Sequence, residues 1–511
     1  MGAIAEPEYG CGRDLEPEVC WQAAYSRDVR FDGRFFAGAV KTRVYCRSIC
    51  PVPFARPSNI IWFASAAAAE AAGFRPCRRC RPAVSPGTPA WAGTSAVVSR
   101  AMRLIAEGAL DGGNVEDLAG RVGLGSRQLR RLFVEHLGAS PGRIATTRRV
   151  HFARKLIEET ELPITRLAAY AGFRSIRQFN HAVLTTAGES PTKLRRLRSV
   201  AQSPTPRPGL LIRLAYRPPF HWSGLLAFLA ARAVAGVESV QSNAYRRTIE
   251  IDDVTGTIEV RHDAAERQLL VNIKLPGYES LMKVVERVRR IFDLAADPFQ
   301  IASQLSRDWM LKPLLAAAPG LRVPGIWDGF EAAVRAVLGE RLPGEAPGAA
   351  LARLARTFGR PIQTCTPGLT HLFPRPRDLA ESDIGAANIG DKPASTIRAL
   401  ARAVIQGDLT FAASMNLQDA IARVRLVPGI SQAMADYIAM RAFGEPDAFP
   451  VSTRRFPRST ECWRPWRAYA AMYLFGAGLP GCRGTDAASG VLSRRLPASR
   501  VADAGRRVPR N

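Results

Sequence analysis

Residues 44–50, VYCRSIC, and residues 74–80, FRPCRRC, place four cysteines in two closely spaced pairs. The pairs are separated by 26 residues. Zinc in structural sites is bound tetrahedrally by thiolate or imidazole ligands, and a short spacing lets each pair hold one side of the ion. The spacing therefore predicts a Zn²⁺ site that organises a small domain and is formed by Cys46, Cys50, Cys77 and Cys80.

The chemistry of this cluster is compatible with two roles. The zinc can be purely structural, or it can hold a sulfur deprotonated and ready to react. Positive charge beside the cysteines would favour an anionic nucleophile next to a phosphate. The flanking arginines are Arg43, Arg47, Arg78 and Arg79.

The segment around the cysteines resembles a known family. FDGRFFAGAVKTRVYCRSICPV and NIIWFASAAAAEAAGFRPCRRCRP are similar to the N-terminal zinc domain of the Ada adaptive-response regulators. The resemblance implies an α/β zinc domain over residues 20–85, in which Cys46 irreversibly accepts a methyl group from a methylphosphotriester in DNA. Methylation would turn a zinc thiolate into a neutral thioether and remove negative charge that faces the DNA.

Residues 95–198 have a helical pattern that occurs twice. VEDLAGRVGLGSRQLRRLF, residues 115–133, aligns with ITRLAAYAGFRSIRQFNHAV, residues 164–183, at an offset of 49 that rises to 50 after the serines. Each copy has an apolar face, a glycine at the turn and a serine suited to cap a basic second helix. Two helix-turn-helix units are therefore predicted, and the alternative is a generic pair of helical hairpins.

The second helix of each unit carries residue types that read a major groove. The candidate DNA-binding residues are Arg127, Gln128, Arg130, Arg131, Arg174, Arg177, Gln178 and Asn180. Together with the closing GESPTKLRR, the segment resembles the AraC-type DNA-binding domain, which follows the zinc domain in the Ada family. The resemblance implies double-stranded promoter DNA as a partner, with RNA polymerase as a further one.

The second half begins after a proline- and serine-rich linker at residues 199–209. RRTIEIDDVTGTIEVRH and RQLLVNIKL predict strands with a glycine-containing turn, between the predicted helices YRPPFHWSGLLAFLAARAV and ESLMKVVERVRRIFDL, in an α+β unit at residues 210–298. Residues 300–480 are predicted to be almost entirely helical. Within them, Gly429 of LVPGI is the glycine that a helix-hairpin-helix needs to turn backbone N–H groups toward a DNA phosphate.

Residues 208–480 resemble the AlkA-type DNA glycosylases of the helix-hairpin-helix superfamily. The resemblance rests on YRPPFHWSGLLAFLAARAVAGVE, RRIFDLAADP, PGLRVPGIWDGFEAAVRAVLG, ADYIAMRAFGEPDAFP and CWRPWRAYAAMYLF. It implies an α+β AlkA N-terminal-like domain, an all-α glycosylase domain and hydrolytic release of 3-methyladenine-type bases flipped out of the duplex. By position, Phe228, Tyr437 and Phe475 would line an electron-rich base pocket. The alternative is that they are ordinary core aromatics.

Thr453 stands where this resemblance places the catalytic aspartate. A carboxylate there would stabilise the cationic sugar as the base leaves, and a neutral hydroxyl has no charge to do so. The neighbouring Arg454 and Arg455 have the wrong sign, and the nearest acids are Glu445 and Asp447. We therefore expect reduced or absent base release. The alternative to a bifunctional repair protein is a transcription regulator and methyl sensor whose glycosylase domain only binds DNA.

Two arginine-rich stretches match nothing in the family, namely residues 453–461 and the basic tail at residues 483–511. Each is either a diverged surface or an out-of-frame reading of a GC-rich gene. Resequencing the gene distinguishes the two, because an intact frame through both stretches would rule out the second.

The composition agrees with a nucleic-acid-binding protein of several domains. A chain of 511 residues is too long for one core. Its 71 Lys and Arg against 45 Asp and Glu leave a formal net charge of +26, which attracts polyanions, although arginine can also replace lysine on solvated faces. No segment has the roughly 18 apolar residues that span a membrane, and the first residues lack the basic region followed by an apolar core that is typical of a signal peptide. We expect a cytoplasmic, multidomain, mainly α protein whose partner is double-stranded DNA, at both alkylated and promoter sites.

Overall fold

The computed structural model describes residues 15–54, 56–86, 96–197, 209–341, 347–411, 417–450 and 460–477. Within these ranges the chain folds into many helices and two small sheets. The prediction of a mainly α, multidomain fold is therefore confirmed. Among the described residues, no helix is both long and apolar enough to cross a membrane.

The first region is a four-stranded sheet flanked by two helices. Its elements are α1 (Pro17–Tyr25), β1 (Phe36–Ala39), β2 (Val44–Arg47), β3 (Ile60–Phe63), α2 (Ala66–Ala71) and β4 (Arg75–Pro76). The strand order is β3-β1-β2-β4, and β4 alone runs parallel to its neighbour. The register pairs Tyr45 with Pro76. Cys46 is the residue after Tyr45, and Cys77 is the residue after Pro76. The sheet thus brings the two cysteine pairs to the same edge.

The second region contains two helix-turn-helix units around one long helix. Its helices are α3 (Ala96–Ala106), α4 (Val115–Arg121), α5 (Ser126–Leu137), α6 (Pro141–Glu159), α7 (Ile164–Tyr170), α8 (Ile176–Ala187) and α9 (Pro191–Arg196). The turns α4–α5 and α7–α8 contain Gly123 and Gly172 at φ of 76° and 74°, the left-handed conformation that favours glycine. The predicted repeat is therefore a structural repeat.

The prediction that a serine caps each second helix is confirmed for one helix and wrong for the other. Ser175 caps α8, because its hydroxyl accepts a hydrogen bond from the Gln178 N–H at 3.1 Å. The same prediction is wrong for Ser126, which is the first residue of α5. Gly125 takes the capping position there and offers no side chain.

The third region is a five-stranded antiparallel sheet with two helices. Its elements are β5 (Leu210–Ala215), α10 (Trp222–Ala230), β6 (Glu238–Gln241), β7 (Ala244–Ile251), β8 (Val254–Asp263), β9 (Gln268–Lys274) and α11 (Leu281–Ile291). The strand order is β5-β9-β8-β7-β6. The two edge strands β5 and β6 were not predicted. The helix predicted from Tyr216 begins only at Trp222, after two prolines that donate no backbone N–H.

The turn between β7 and β8 is built differently from the prediction. Asp252 and Asp253 form it at φ of 47° and 61°, so acidic residues rather than a glycine make the turn. Gly256 lies inside β8, where a Cβ atom would come within 2.1 Å of the Lys274 carbonyl oxygen. Glycine is therefore needed at this position because β8 and β9 approach each other closely.

The fourth region is helical, as predicted. Its helices are α12 (Pro298–Leu305), α13 (Leu311–Ala317), α14 (Gly329–Arg341), α15 (Pro347–Phe358), α16 (Pro376–Leu379), α17 (Asp391–Ile405), α18 (Leu417–Arg425), α19 (Gln432–Arg441) and α20 (Arg467–Gly476). Val334 and Val337 of α14 share one buried core with Ile397 of α17 and Ile438 of α19. The predicted hairpin joins α18 to α19.

The helix-turn-helix region shares an apolar core with the sheet that follows it. Residues of α6, α7 and α8 belong to the same buried cluster as Ile212 of β5. The rings of Tyr170 and Tyr278 meet edge-on with their centroids 6.0 Å apart. In addition, a Glu159 carboxylate oxygen accepts from the Arg213 backbone N–H at 3.2 Å. The second helix-turn-helix unit is therefore part of the body of the molecule.

A buried arginine joins the zinc region to the rest. Arg217 is fully buried, and its Nε donates to the Asp32 carbonyl oxygen at 3.0 Å. Its Nη1 donates to the Ala295 carbonyl oxygen at 3.3 Å, beyond the five-stranded sheet. Burial lowers the pKa of Arg217 to about 10, so its charge is retained at neutral pH. One side chain thus links residues 32 and 295.

Candidate functional site

The four predicted zinc ligands come together in one cluster. One sulfur from each of Cys46, Cys50, Cys77 and Cys80 lies within 4.8 Å of all the others. Cys46 is on β2, and Cys77 follows β4 directly. Cys46 is half-buried, whereas its three partners are buried. Cys46 is therefore the most exposed residue of the four.

The donor set suits a divalent soft cation. The Arg47 backbone N–H donates to the Cys80 sulfur at 3.4 Å, and its Nη1 donates to the Cys80 carbonyl oxygen at 3.0 Å. Four converging sulfurs supported by such hydrogen bonds match the tetrahedral ligand set of zinc.

The eight predicted DNA-reading residues are all exposed. They lie on α5 (Arg127, Gln128, Arg130, Arg131), just before α8 (Arg174) and on α8 (Arg177, Gln178, Asn180). Arg130 is also paired with Glu116 of α4 at 2.8 Å, and this ion pair joins the two helices of the first unit. The remaining side chains leave each second helix with a basic, accessible face.

The hairpin between α18 and α19 has the predicted glycine at its turn. Gly429 is exposed and has a φ of 91°. A Cβ atom at this position would lie 2.1 Å from the Thr396 hydroxyl oxygen, so both conformation and space require glycine. Ser431 caps α19 by accepting from the Met434 N–H at 3.2 Å. The turn can therefore present backbone to a phosphate.

The three predicted pocket aromatics are half-buried and lie on three helices. They are Phe228 on α10, Tyr437 on α19 and Phe475 on α20. Phe475 packs against the cluster that contacts Phe228 and also against the cluster that contacts Tyr437. The structure therefore brings the three residues to neighbouring surfaces.

Two arginines that sequence reasoning missed stack on these aromatic rings. The guanidinium carbon of Arg232 lies 3.7 Å from the Phe228 ring centroid. That of Arg441 lies 4.9 Å from the Phe228 centroid and 5.6 Å from the Tyr437 centroid. Each arginine follows its aromatic partner by four residues, the helical spacing that could have identified the pair. The aromatic surface therefore already holds protein cations.

The position of the expected catalytic carboxylate, Thr453, lies outside the described residues. The two nearest acids, Asp447 and Glu445, are engaged elsewhere. Asp447 pairs with Arg464 and, at 2.8 Å, with Arg467. Glu445 pairs at 2.6 Å with Arg103 of the helix-turn-helix region. Both acids thus hold neighbouring parts of the chain together.

Matches to known families divide the chain into parts that correspond to regions of the structure. Residues 19–83 match the metal-binding domain of Ada. Residues 118–197 match a helix-turn-helix domain, and residues 211–328 match the AlkA N-terminal domain. A zinc centre, a helix-turn-helix pair and an AlkA-type body in one chain define a class of protein that combines DNA repair with transcription regulation.

Relatives cover nearly the whole chain. The "Probable bifunctional transcriptional activator/DNA repair enzyme AlkA" of Mycobacterium tuberculosis is 40% identical over 478 residues, which are 90% of this chain and 96% of the relative. DNA-3-methyladenine glycosylase 2 of Escherichia coli is 31% identical over 51% of this chain and 95% of its own length. Among solved structures, the 3-methyladenine DNA-glycosylase of Archaeoglobus fulgidus covers 52% of this chain and 97% of its own, with 16% identity and a TM-score of 0.45.

The chain belongs to the family of bifunctional transcriptional activator/DNA repair enzymes that the mycobacterial relative represents. The cysteine cluster is accordingly the zinc site of an Ada-type metal-binding domain. The sequence-based prediction of an Ada–AlkA fusion is confirmed, as is the prediction of Zn²⁺ as its cofactor.

Proposed function

We propose that the zinc domain repairs methylphosphotriesters in DNA by accepting the methyl group on Cys46. The observation that carries this proposal is the exposure of the four cysteine residues, because Cys46 is half-buried and its three partners are buried. The Cys46 sulfur would form the new bond to the methyl carbon while the methyl–oxygen bond of the triester breaks. The electron pair would stay on the phosphate, which becomes an ordinary negatively charged diester.

The charge around the cluster would place a phosphate near Cys46. Arg78 and Arg79 are exposed between the second pair of cysteines. Methylation would remove thiolate charge from the surface that faces DNA, and each unit of repulsion removed strengthens binding to a polyanion. We propose that this gain lets the exposed faces of α5 and α8 occupy promoter major grooves in the cytoplasm, where RNA polymerase would be the second partner.

The helical region would release 3-methyladenine-type bases by hydrolysis. Its hairpin around Gly429 would bind a phosphate, and Phe228, Tyr437 and Phe475 would receive the flipped base. The second candidate function is a sensor and regulator whose glycosylase region only binds DNA. Two observations favour this alternative: a neutral residue at position 453, and the engagement of both nearest acids in ion pairs.

Mass spectrometry tests the methyl-transfer proposal. Full-length protein incubated with DNA that contains a methylphosphotriester should gain one methyl group, located on Cys46 by peptide mapping. Cys46→Ser should gain none, whereas Cys365→Ser, which changes an exposed cysteine far from the cluster in sequence, should behave like the unchanged protein. A methyl group on another cysteine, or on none, would overturn the proposal.

Base release from alkylated duplex DNA under excess protein separates the two functions of the helical region. Release that falls when Tyr437 is changed to Ala would support the glycosylase. No release, combined with retained binding to the same duplex, would support the regulator with an inactive glycosylase region.

A further inference from the structure

A cavity of about 680 Å³ lies where three regions of the chain meet. Arg103 and Glu107, at the end of α3, line one side. One face of α11 and the residues after it line the second side, and the helical region lines the third. Small-molecule sites typically measure about 300–1,000 Å³ and occur preferentially at domain junctions. Both the size and the place of this cavity therefore suit a small ligand.

The helical region supplies an apolar and aromatic wall. The rings of Phe411 and Phe443 face one another with centroids 5.8 Å apart and planes inclined by 40°. Further apolar lining comes from Val323, Leu409, Met440 and Tyr469. Aromatic walls favour flat rings, since offset stacking and edge contacts add to the burial of apolar area.

Most charged groups around the cavity are already paired within the protein. The pairs are Arg103 with Glu445, Arg290 with Glu107, and Lys283 with Asp252. Arg287 is different, because its guanidinium lies 5.0 Å over the Trp327 ring and forms no hydrogen bond within the described ranges. Glu286 likewise has no ion-pair partner among the residues described. Of the other lining charges, Arg289 donates to the Pro86 carbonyl oxygen at 2.7 Å and Asp328 accepts from the Phe330 N–H at 2.9 Å. Arg287 and Glu286 are thus left for a ligand.

Asp293 provides a second acceptor through one of its two carboxylate oxygens, and its backbone conformation is unusual. Its φ is 48°, in the left-handed region that residues other than glycine rarely adopt. One carboxylate oxygen, Oδ2, accepts from the Tyr469 hydroxyl at 2.7 Å and from the Val323 N–H at 3.4 Å. Oδ1 has no such partner in the described part of the chain. Strained, partly satisfied side chains that line a cavity are typical of functional sites.

We propose that this cavity binds a neutral purine base. The edge of a purine presents N–H donors to Asp293 and ring acceptors to Arg287, and its flat faces suit Phe411 and Phe443. A multiply charged anion fits less well, because within the described ranges three lining carboxylates without an ion pair (Glu286, Asp293 and Asp328) outnumber two such guanidiniums (Arg287 and Arg289). The site is separate from Phe228, Tyr437 and Phe475, none of which lines it. The proposal therefore does not depend on base release, and a chain that cannot cleave DNA would still bind the purine.

Isothermal titration of the full-length protein with adenine at pH 7.5 tests this site. We expect saturable binding of one adenine per chain. Asp293→Asn and Arg287→Met should each weaken binding about tenfold, the usual effect of losing one hydrogen bond to a charged group. Glu266→Gln, an equivalent carboxylate-to-amide change in an exposed turn, should leave the affinity unchanged.

Three outcomes would overturn the proposal. These are no saturable adenine binding, equal affinity in both cavity variants and the unchanged protein, or adenosine 5′-monophosphate binding more tightly than adenine. The last result would identify an anion site. Arg287→Met keeps the aliphatic stem of the arginine, so it tests the proposal even if Asp293→Asn does not fold.

Discussion

The zinc cluster was predicted from the spacing of its cysteines and the aromatic pocket from a resemblance, and the two sites differ in completeness. In the zinc cluster all four sulfurs converge within 4.8 Å, and a neighbouring backbone N–H supports one of them. In the aromatic pocket Arg232 and Arg441 stack on the rings, and both nearby acids are used in ion pairs. A metal site is complete when its ligands are present, whereas a catalytic pocket also depends on the charges around it.

Removal of a zinc ligand should have the largest effect. Cys77→Ser deletes a buried sulfur, and the metal-binding free energy of such sites, on the order of 10 kcal/mol, is also folding free energy. We expect loss of zinc and of hydrogen-exchange protection in β1 to β4. Metal analysis and exchange mass spectrometry provide the measurements. Cys365→Ser is the matched control, and one retained zinc in Cys77→Ser would contradict the ligand assignment.

A carboxylate placed at position 453 should increase base release. Thr453→Asp adds the negative charge that would stabilise the developing sugar cation, an effect worth about 10²-fold or more in rate at other preorganised sites. Single-turnover base release from alkylated duplex DNA is the measurement. Thr453→Asn has the same shape without the charge and should release no more than the unchanged protein. Equal rates for Asp and Asn would remove position 453 from the catalytic assignment.

The buried acid Asp293 should make stability depend on pH. Burial raises its pKa from 3.8 to about 6, although the Arg322 cation and the Tyr469 hydrogen bond oppose the shift. The folded state therefore holds this proton more tightly. The resulting stability is complete below about pH 4 and is lost as pH rises through about 6.

Asp293→Asn removes this titration while keeping an acceptor for Tyr469. Relative to the unchanged protein, the free energy of unfolding should rise by about 2–3 kcal/mol between pH 4 and pH 7.5. The measurement is urea unfolding at both pH values, followed by the circular dichroism of the helices. A difference that does not change with pH would contradict the raised pKa.

Removal of the Arg232 charge that stacks on Phe228 should have the smallest effect. Arg232→Met keeps apolar contact with Phe228 but removes the stacked charge, an interaction of about 1 kcal/mol. We expect a roughly fivefold gain in affinity for a duplex containing cationic 7-methylguanine, relative to an unmodified duplex. Fluorescence anisotropy measures both affinities. Arg232→Lys retains the charge and should show no gain, and an equal gain in both variants would disprove competition for the ring.

Sequence reasoning succeeded where the signal is local. The cysteine spacing and the turn glycines Gly123 and Gly172 are set within a few residues, and the structure contains both features. Strand β5 was missed because it continues directly from the linker, and its role depends on pairing with β9, nearly 60 residues later. Arg232 and Arg441 were missed although their spacing from Phe228 and Tyr437 is helical. The cavity beside Asp293 could not be predicted, since it exists only where three regions meet.

The apolar core shared by α6, α7, α8 and the five-stranded sheet has an evolutionary consequence. A gene fusion joined by a free linker can be undone, because each partner still folds alone. Here the helix-turn-helix region and the sheet cover each other's apolar residues, so a split within residues 199–209 would expose those residues on both halves. Separate genes for the two halves would therefore need new polar side chains on both of these faces.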